Sequence, residues 1–144
     1  MNVKKIIGDK PIQAVATISA TASLTEAAAD LAARKIGALV VSESGEDVQG
    51  IISERDIVRR LAADGAEALM SKVSDAMTVK VSSCDPGDSA VSVLQRMTEG
   101  RFRHMPVLDA GRLIGVISIG DVVKARMSEI EMENRAMEDM IKGI

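Results

Sequence analysis

The sequence predicts an α/β (α+β) protein made of two β-α-β-β-α units, with an extended helix at its C-terminus. Three observations lead there. A ten-residue stretch occurs twice: residues 50–59 read GIISERDIVR and residues 115–124 read GVISIGDVVK. Each copy passes from an apolar run through Ser-x-x-Asp into an amphipathic segment, the pattern of a buried strand feeding a helix. The order of apolar and turn-forming stretches ahead of each copy also repeats, so two half-sized units share 144 residues and one core.

In order along the chain, residues 1–14 read as a lead-in, with Pro11 blocking regular structure before an apolar restart. The first unit spans 15–65. Residues 15–18 make a short strand. Ser23-Leu-Thr-Glu26 then has capping-box spacing and opens TEAAADLAARK, a segment of high helix propensity. Residues 38–41 (ALVV) form a buried strand, 42–50 (SESGEDVQG) hairpin material, and Ile51 with Ile52 the return strand. A helix over 54–63 stops at Asp64-Gly65. Residues 66–78 connect to the second unit, 79–127. It repeats the order: strand 79–83, turn 84–88, helix 89–99, strands 105–108 and 113–117, then helix after Ser118.

Residues 128–144 extend that last helix. Val123, Met127, Ile130, Asn134, Met137 and Ile141 share one face, and Met132, Ala136 and Met140 form a second stripe. The spacing suits two arrangements. The helix lies across its own domain, or it forms a seam against another chain with Asn134 as a polar register position.

Composition removes several functions. Phe102 is the only aromatic residue, and 18 basic residues stand against 21 acidic ones for a net charge of −3. Single-stranded nucleic acid lacks its ring platforms here, and no basic footprint offers itself to a duplex. A single cysteine, Cys84, placed in a turn, forms no internal disulfide and fits a reducing compartment. With one histidine, it is too little for a His/Cys metal site or for a nucleophile-base pair, so no catalytic residue or metal ligand is expected. A carboxylate pair at Asp56 and Asp121 lacks a proton-shuttling partner. No apolar run approaches the roughly 20 residues of a spanning helix, and MNVKKIIGDK is no signal peptide. The expectation is a soluble, cytoplasmic protein with no membrane or nucleic-acid partner.

The duplicated unit ending in Gly-apolar-apolar-Ser-x-x-Asp, with VSDAM at 73–77 and RHMPV at 103–107, resembles a tandem pair of CBS (cystathionine β-synthase) domains. The resemblance covers about residues 15–127 and is to the free-standing bacterial type. It implies two repeats packed about a pseudo-two-fold axis, a homodimer, and two clefts that take adenosine-containing ligands such as AMP, ADP, ATP, NAD(H) or S-adenosylmethionine. The implied role is non-catalytic: ligand occupancy biases the shape of the module and signals to a protein target. The alternative is a structural dimerisation or adaptor protein with vestigial clefts.

Ser53 and Asp56, and again Ser118 and Asp121, have a physical reason to hold a nucleotide. Free N–H groups at a helix start favour a phosphate, a serine hydroxyl adds a donor, and an aspartate accepts from vicinal ribose hydroxyls. The same spacing is close to a capping box, and the two roles are compatible. The resemblance places adenine against the backbone of Gly37, Ala38 and Leu39, or of Met105 and Pro106, with Thr17 and Ser83 at the purine edge. Arg55, Arg101, Arg103 and His104 are candidate phosphate contacts. Two unequal clefts follow. Arg55 narrows the first toward a single phosphate, as in AMP, while Gly120 and the basic run 101–104 suit the second to a bulkier anionic tail.

Overall fold

Short β-branched runs pair into two small sheets, and each sheet is closed over by a helix that a serine caps. The computed structural model describes residues 1–10 and 15–143, so the expectation for Pro11 lies outside the described residues. In the first half, β1 (Thr17–Ile18) runs parallel to β2 (Ala38–Val41), which pairs antiparallel with β3 (Gly50–Ser53). All four residues of β2 are buried, as a continuous apolar run implies. Helix α2 (Leu24–Arg34) begins at Ser23, whose hydroxyl accepts from the Glu26 N–H while the Glu26 carboxylate accepts from the Ser23 N–H. That is the capping box the spacing predicts. α3 (Glu54–Asp64) follows β3 without a linker.

The second half holds α5 (Ala90–Gly100), β4 (His104–Asp109), β5 (Arg112–Ser118) and α6 (Ile119–Ile141). The strand expected at 79–83 does not form; isolated bridges flank the run, antiparallel between Ile51 and Thr78 and parallel between Cys84 and Val107. The reason is Pro106. In the first half the Val40 N–H bonds the Ala16 carbonyl, but Pro106, which follows His104 as Val40 follows Ala38, has no N–H to offer residue 82. The ladder is limited to the bonds between Cys84 and the backbone of Pro106 and Leu108. Cys84 is therefore buried against β4 and not in a turn.

The stretches read as lead-in and connector contain helices. α1 (Val3–Gly8) opens the chain; a 3-10 helix (Gly65–Met70) and α4 (Val73–Ala76) join the halves. Residues 3–10 (VKKIIGDK) match residues 73–80 (VSDAMTVK) in place as well as in pattern. Val3 is fully buried in the core of the second half and Val73 in the core of the first, so each short helix packs on one repeat's sheet and helices. Ile7 lies against Gly115 as Met77 lies against Gly50. A Cβ on Gly50 would sit 2.7 Å from the Thr78 carbonyl oxygen, so only glycine permits this approach. Val40, Ile51 and Leu113 form a third cluster that joins both halves.

Only the start of α6 is held down. Val122 and Ala125 are buried, whereas residues 131–143 are all exposed. Of its stripe, Val123, Met127, Ile130, Met137 and Ile141 are exposed in this chain.

Candidate functional site

The first Ser-x-x-Asp lies where β3 ends and α3 begins. The Ser53 N–H and hydroxyl both donate to Asp56 Oδ2, at 2.8 and 2.9 Å, and the Asp56 N–H donates to Ser53 Oγ at 3.3 Å. The Thr78 hydroxyl donates to Asp56 Oδ1 at 3.2 Å, and Arg59 lies 3.6 Å from the same oxygen. Asp56 is only 6% exposed, so these partners decide whether its charge is tolerable. The motif is thus a capping box whose aspartate also faces a cleft.

That cleft has a volume of about 340 Å³. One wall is the β3–α3 junction, the second is the run 78–82, which turns at Lys80 where the Val81 N–H donates to the Val79 carbonyl, and the third is the segment that leaves α5. Of the expected residues, Gly37, Ser53, Arg55, Asp56, Arg101, Arg103 and His104 meet here. Arg101 is brought in by a left-handed turn at φ 56° that ends α5, the same turn Lys35 makes at the end of α2. A Cβ on Gly37 would come within 3.0 Å of the His104 ring, so the glycine is what admits the imidazole. Burial holds the His104 pKa below its ordinary value, although the Glu54 and Asp121 carboxylates pull it upward.

Arg59, Thr78, Lys80 and Ser82 also line the cleft and were missed in the sequence. Val81 lines it as well, so this segment meets the cleft through consecutive residues rather than through one face of a strand. Ser83 does not line the cleft, and its carbonyl accepts from Arg96 at 2.9 Å. Thr17 is paired to Val40 in β1, and Ala38, Leu39, Met105 and Pro106 are buried in their strands; none of these lines the cleft.

Ser118 and Asp121 repeat the capping box, with the Ser118 N–H 2.9 Å from Asp121 Oδ2 and the Asp121 N–H 3.1 Å from Ser118 Oγ. Their surroundings differ. Lys10 Nζ sits 3.0 Å from Asp121 Oδ2 and 3.0 Å from the Val116 carbonyl. Burial would raise the Asp121 pKa, but the Ser118 and Lys10 hydrogen bonds outweigh it and hold the group below its ordinary value. A depression of about 120 Å³ between α1 and α6 touches Asp121 together with Ile6, Lys10, Lys124 and Ser128, but not Ser118. The expectation that the basic run 101–104 serves the second cleft is corrected: it lines the cleft of Ser53 and Asp56. A sequence comparison of the two motifs could not reveal which half the loop faces.

Cys84 is 4% exposed, and burial pushes its thiol up to about 12, which leaves no reactive thiolate. Among the described residues no cluster of three His, Cys, Asp or Glu groups suits a metal ion, and no helix is long and apolar enough to cross a membrane.

The profile of the CBS domain family matches residues 3–63 and 73–128, starting at Val3 of α1 and Val73 of α4. The chain belongs to the CBS domain family. A solved structure, the CBS-domain containing protein ATU1752 from Agrobacterium tumefaciens, is 46% identical; the match covers 88% of this chain and 99% of that one, with a TM-score of 0.83. The mitochondrial CBS domain-containing protein CBSX3 of Arabidopsis thaliana is 36% identical over 82% of this chain, which spans 59% of that relative's length. The CBS domain protein PAE2072 from Pyrobaculum aerophilum, solved in complex with AMP, shares the fold at 22% identity and a TM-score of 0.73, over 84% of this chain and 89% of that one. Two CBS repeats in one mixed helix-and-strand fold are what this chain shares with these proteins.

Proposed function

We propose that this CBS pair is a non-catalytic regulatory module that binds an adenine nucleotide in the cleft beside Ser53 and Asp56. The observation that supports it is the charge of that cleft. Arg55, Lys80, Arg101 and Arg103 line it with no ion-pair partner among the described residues, in a chain of net charge −3. An acidic protein that gathers unpaired cations around one helix start presents a site for a polyanion. The cleft volume falls within the span of about 300–1,000 Å³ usual for small-molecule sites. Phosphates face the arginines, a ribose hydroxyl takes the place of the Thr78 hydroxyl on Asp56, and adenine lies against Ile51 and Val81. AMP, ADP, ATP and NAD(H) all meet this description. The complex with AMP in the P. aerophilum protein is a precedent for the fold alone, since the two chains are 22% identical.

Thermal melting with a panel of AMP, ADP, ATP, NAD and GTP tests the proposal. An adenine nucleotide at a hundred times its dissociation constant stabilises the fold by about 2.7 kcal/mol. No shift with any of them would sink it. A dimer-forming adaptor is the second reading, favoured by the exposed Met127, Ile130, Met137 and Ile141 of α6. In that reading light scattering gives twice the 15.2 kDa chain mass, and truncation after Met127 halves it.

A further inference from the structure

We infer that Lys10 occupies the second Ser-x-x-Asp site in place of a ligand and holds it closed, so that each chain takes up one nucleotide and not two. The inference rests on the nucleotide reading above and adds the stoichiometry and the residue that sets it.

The two halves offer the same pair of acceptors. In the first they are the Ile51 carbonyl and the Asp56 carboxylate; in the second they are the Val116 carbonyl and the Asp121 carboxylate. Thr78 serves the first pair, its N–H donating to Ile51 at 2.8 Å and its hydroxyl to Asp56 at 3.2 Å. The Lys10 ammonium bonds both members of the second pair, at 3.0 Å to each. The matched segments 3–10 and 73–80 explain the exchange. The residue in step with Thr78 is Gly8, which has no hydroxyl to give Asp121, and the lysine two positions on folds back to it. Lys80, in step with Lys10, stays on the wall of the open cleft with no ion pair among the described residues.

The substitution changes what a ligand must displace. A ribose hydroxyl replaces the neutral Thr78 hydroxyl like for like, and Asp56 keeps its number of donors. At Asp121 the same hydroxyl has to replace an ammonium, whose bond to a carboxylate is charge-assisted and about twice as strong as a neutral one. Lys10 also leaves from an anchored helix. Val3 and Ile6 are buried, the Val3 N–H bonds the Asp88 carbonyl, and the N-terminal amine pairs with Glu129 at 3.2 Å.

Titration calorimetry of the full chain with AMP and with ATP tests this. One nucleotide per wild-type chain is expected, two per Lys10→Met chain, and one again when Asp121→Asn is added to Lys10→Met. Lys10→Gln, a milder change, serves if Lys10→Met fails to fold, with the same expectation. Two nucleotides on the wild type, or one on every Lys10 variant, overturns the inference and leaves the nucleotide reading standing. No nucleotide bound by wild type or variants sinks the nucleotide reading, and this inference with it.

Discussion

The two halves begin from nearly the same ten residues and end in different chemical states. Ser53–Asp56 and Ser118–Asp121 form the same box with nearly equal distances, so local sequence acts identically in both. What differs arrives from elsewhere in the chain. The first aspartate receives a threonine hydroxyl and a wall of arginines; the second receives the Lys10 ammonium. The sheets diverge for a comparable reason: Val40 has an N–H for a third strand and Pro106 has none. A repeated motif thus fixes its own backbone, while its neighbours decide whether it is a site.

The largest effects should come from the cores, which test whether the halves are one folding unit. Leu39 is fully buried in the core of the first half and Met105 in that of the second. Leu39→Ala and Met105→Ala should each cost about 2–5 kcal/mol. Calorimetry should still record a single transition for each, because Val40, Ile51 and Leu113 tie the sheets together. Two transitions, each moved by only one substitution, would break the comparison at its root.

The aspartates sharpen it further. Either Asp→Ala change removes the carboxylate that accepts from the capping serine's N–H, a charge-assisted bond worth about 1.5–3 kcal/mol of stability. Their effects on nucleotide binding should part: Asp56→Ala weakens it by about 1.5–3 kcal/mol, roughly ten- to a hundred-fold, while Asp121→Ala leaves it unchanged. Equal losses at both positions contradict the assignment of one open cleft.

The smallest expected effect is a pH dependence at His104, where the halves meet. Its folded pKa lies below the ordinary 6.5, so the fold favours the neutral ring. Stability present above that value is lost as the pH falls from 6.5 toward the folded pKa, since the unfolded chain takes up the proton first. A phosphate in the cleft raises the folded pKa, so nucleotide affinity should increase over the same fall in pH. His104→Gln should flatten both slopes between pH 7 and 5, read from denaturant melts and titrations. A slope that survives the substitution assigns the titration to another group.

Much of this architecture is legible in the residues themselves. The strands at 38–41, 50–53, 104–109 and 112–118 come from β-branched runs between turn residues, and the capped starts of α2, α3, α5 and α6 come from Ser23, Ser53, Ser89 and Ser118. These are short-range effects: a side chain and the N–H three residues on are neighbours in any chain that turns there. Of the expected site, Gly37, Ser53, Arg55, Asp56, Arg101, Arg103 and His104 do come together in one cleft. The tertiary structure alone decided that residues 101–104 face the motif of the first half, that Thr78, Lys80 and Ser82 join them, and that Lys10 reaches Asp121 across the chain. Those contacts join segments far apart in sequence, and their selection depends on which buried surface each element covers. An internal repeat states that two sites are possible; only the packing of the segments that follow α1 and α4 decides that Lys10 stands beside Asp121 and Thr78 beside Asp56.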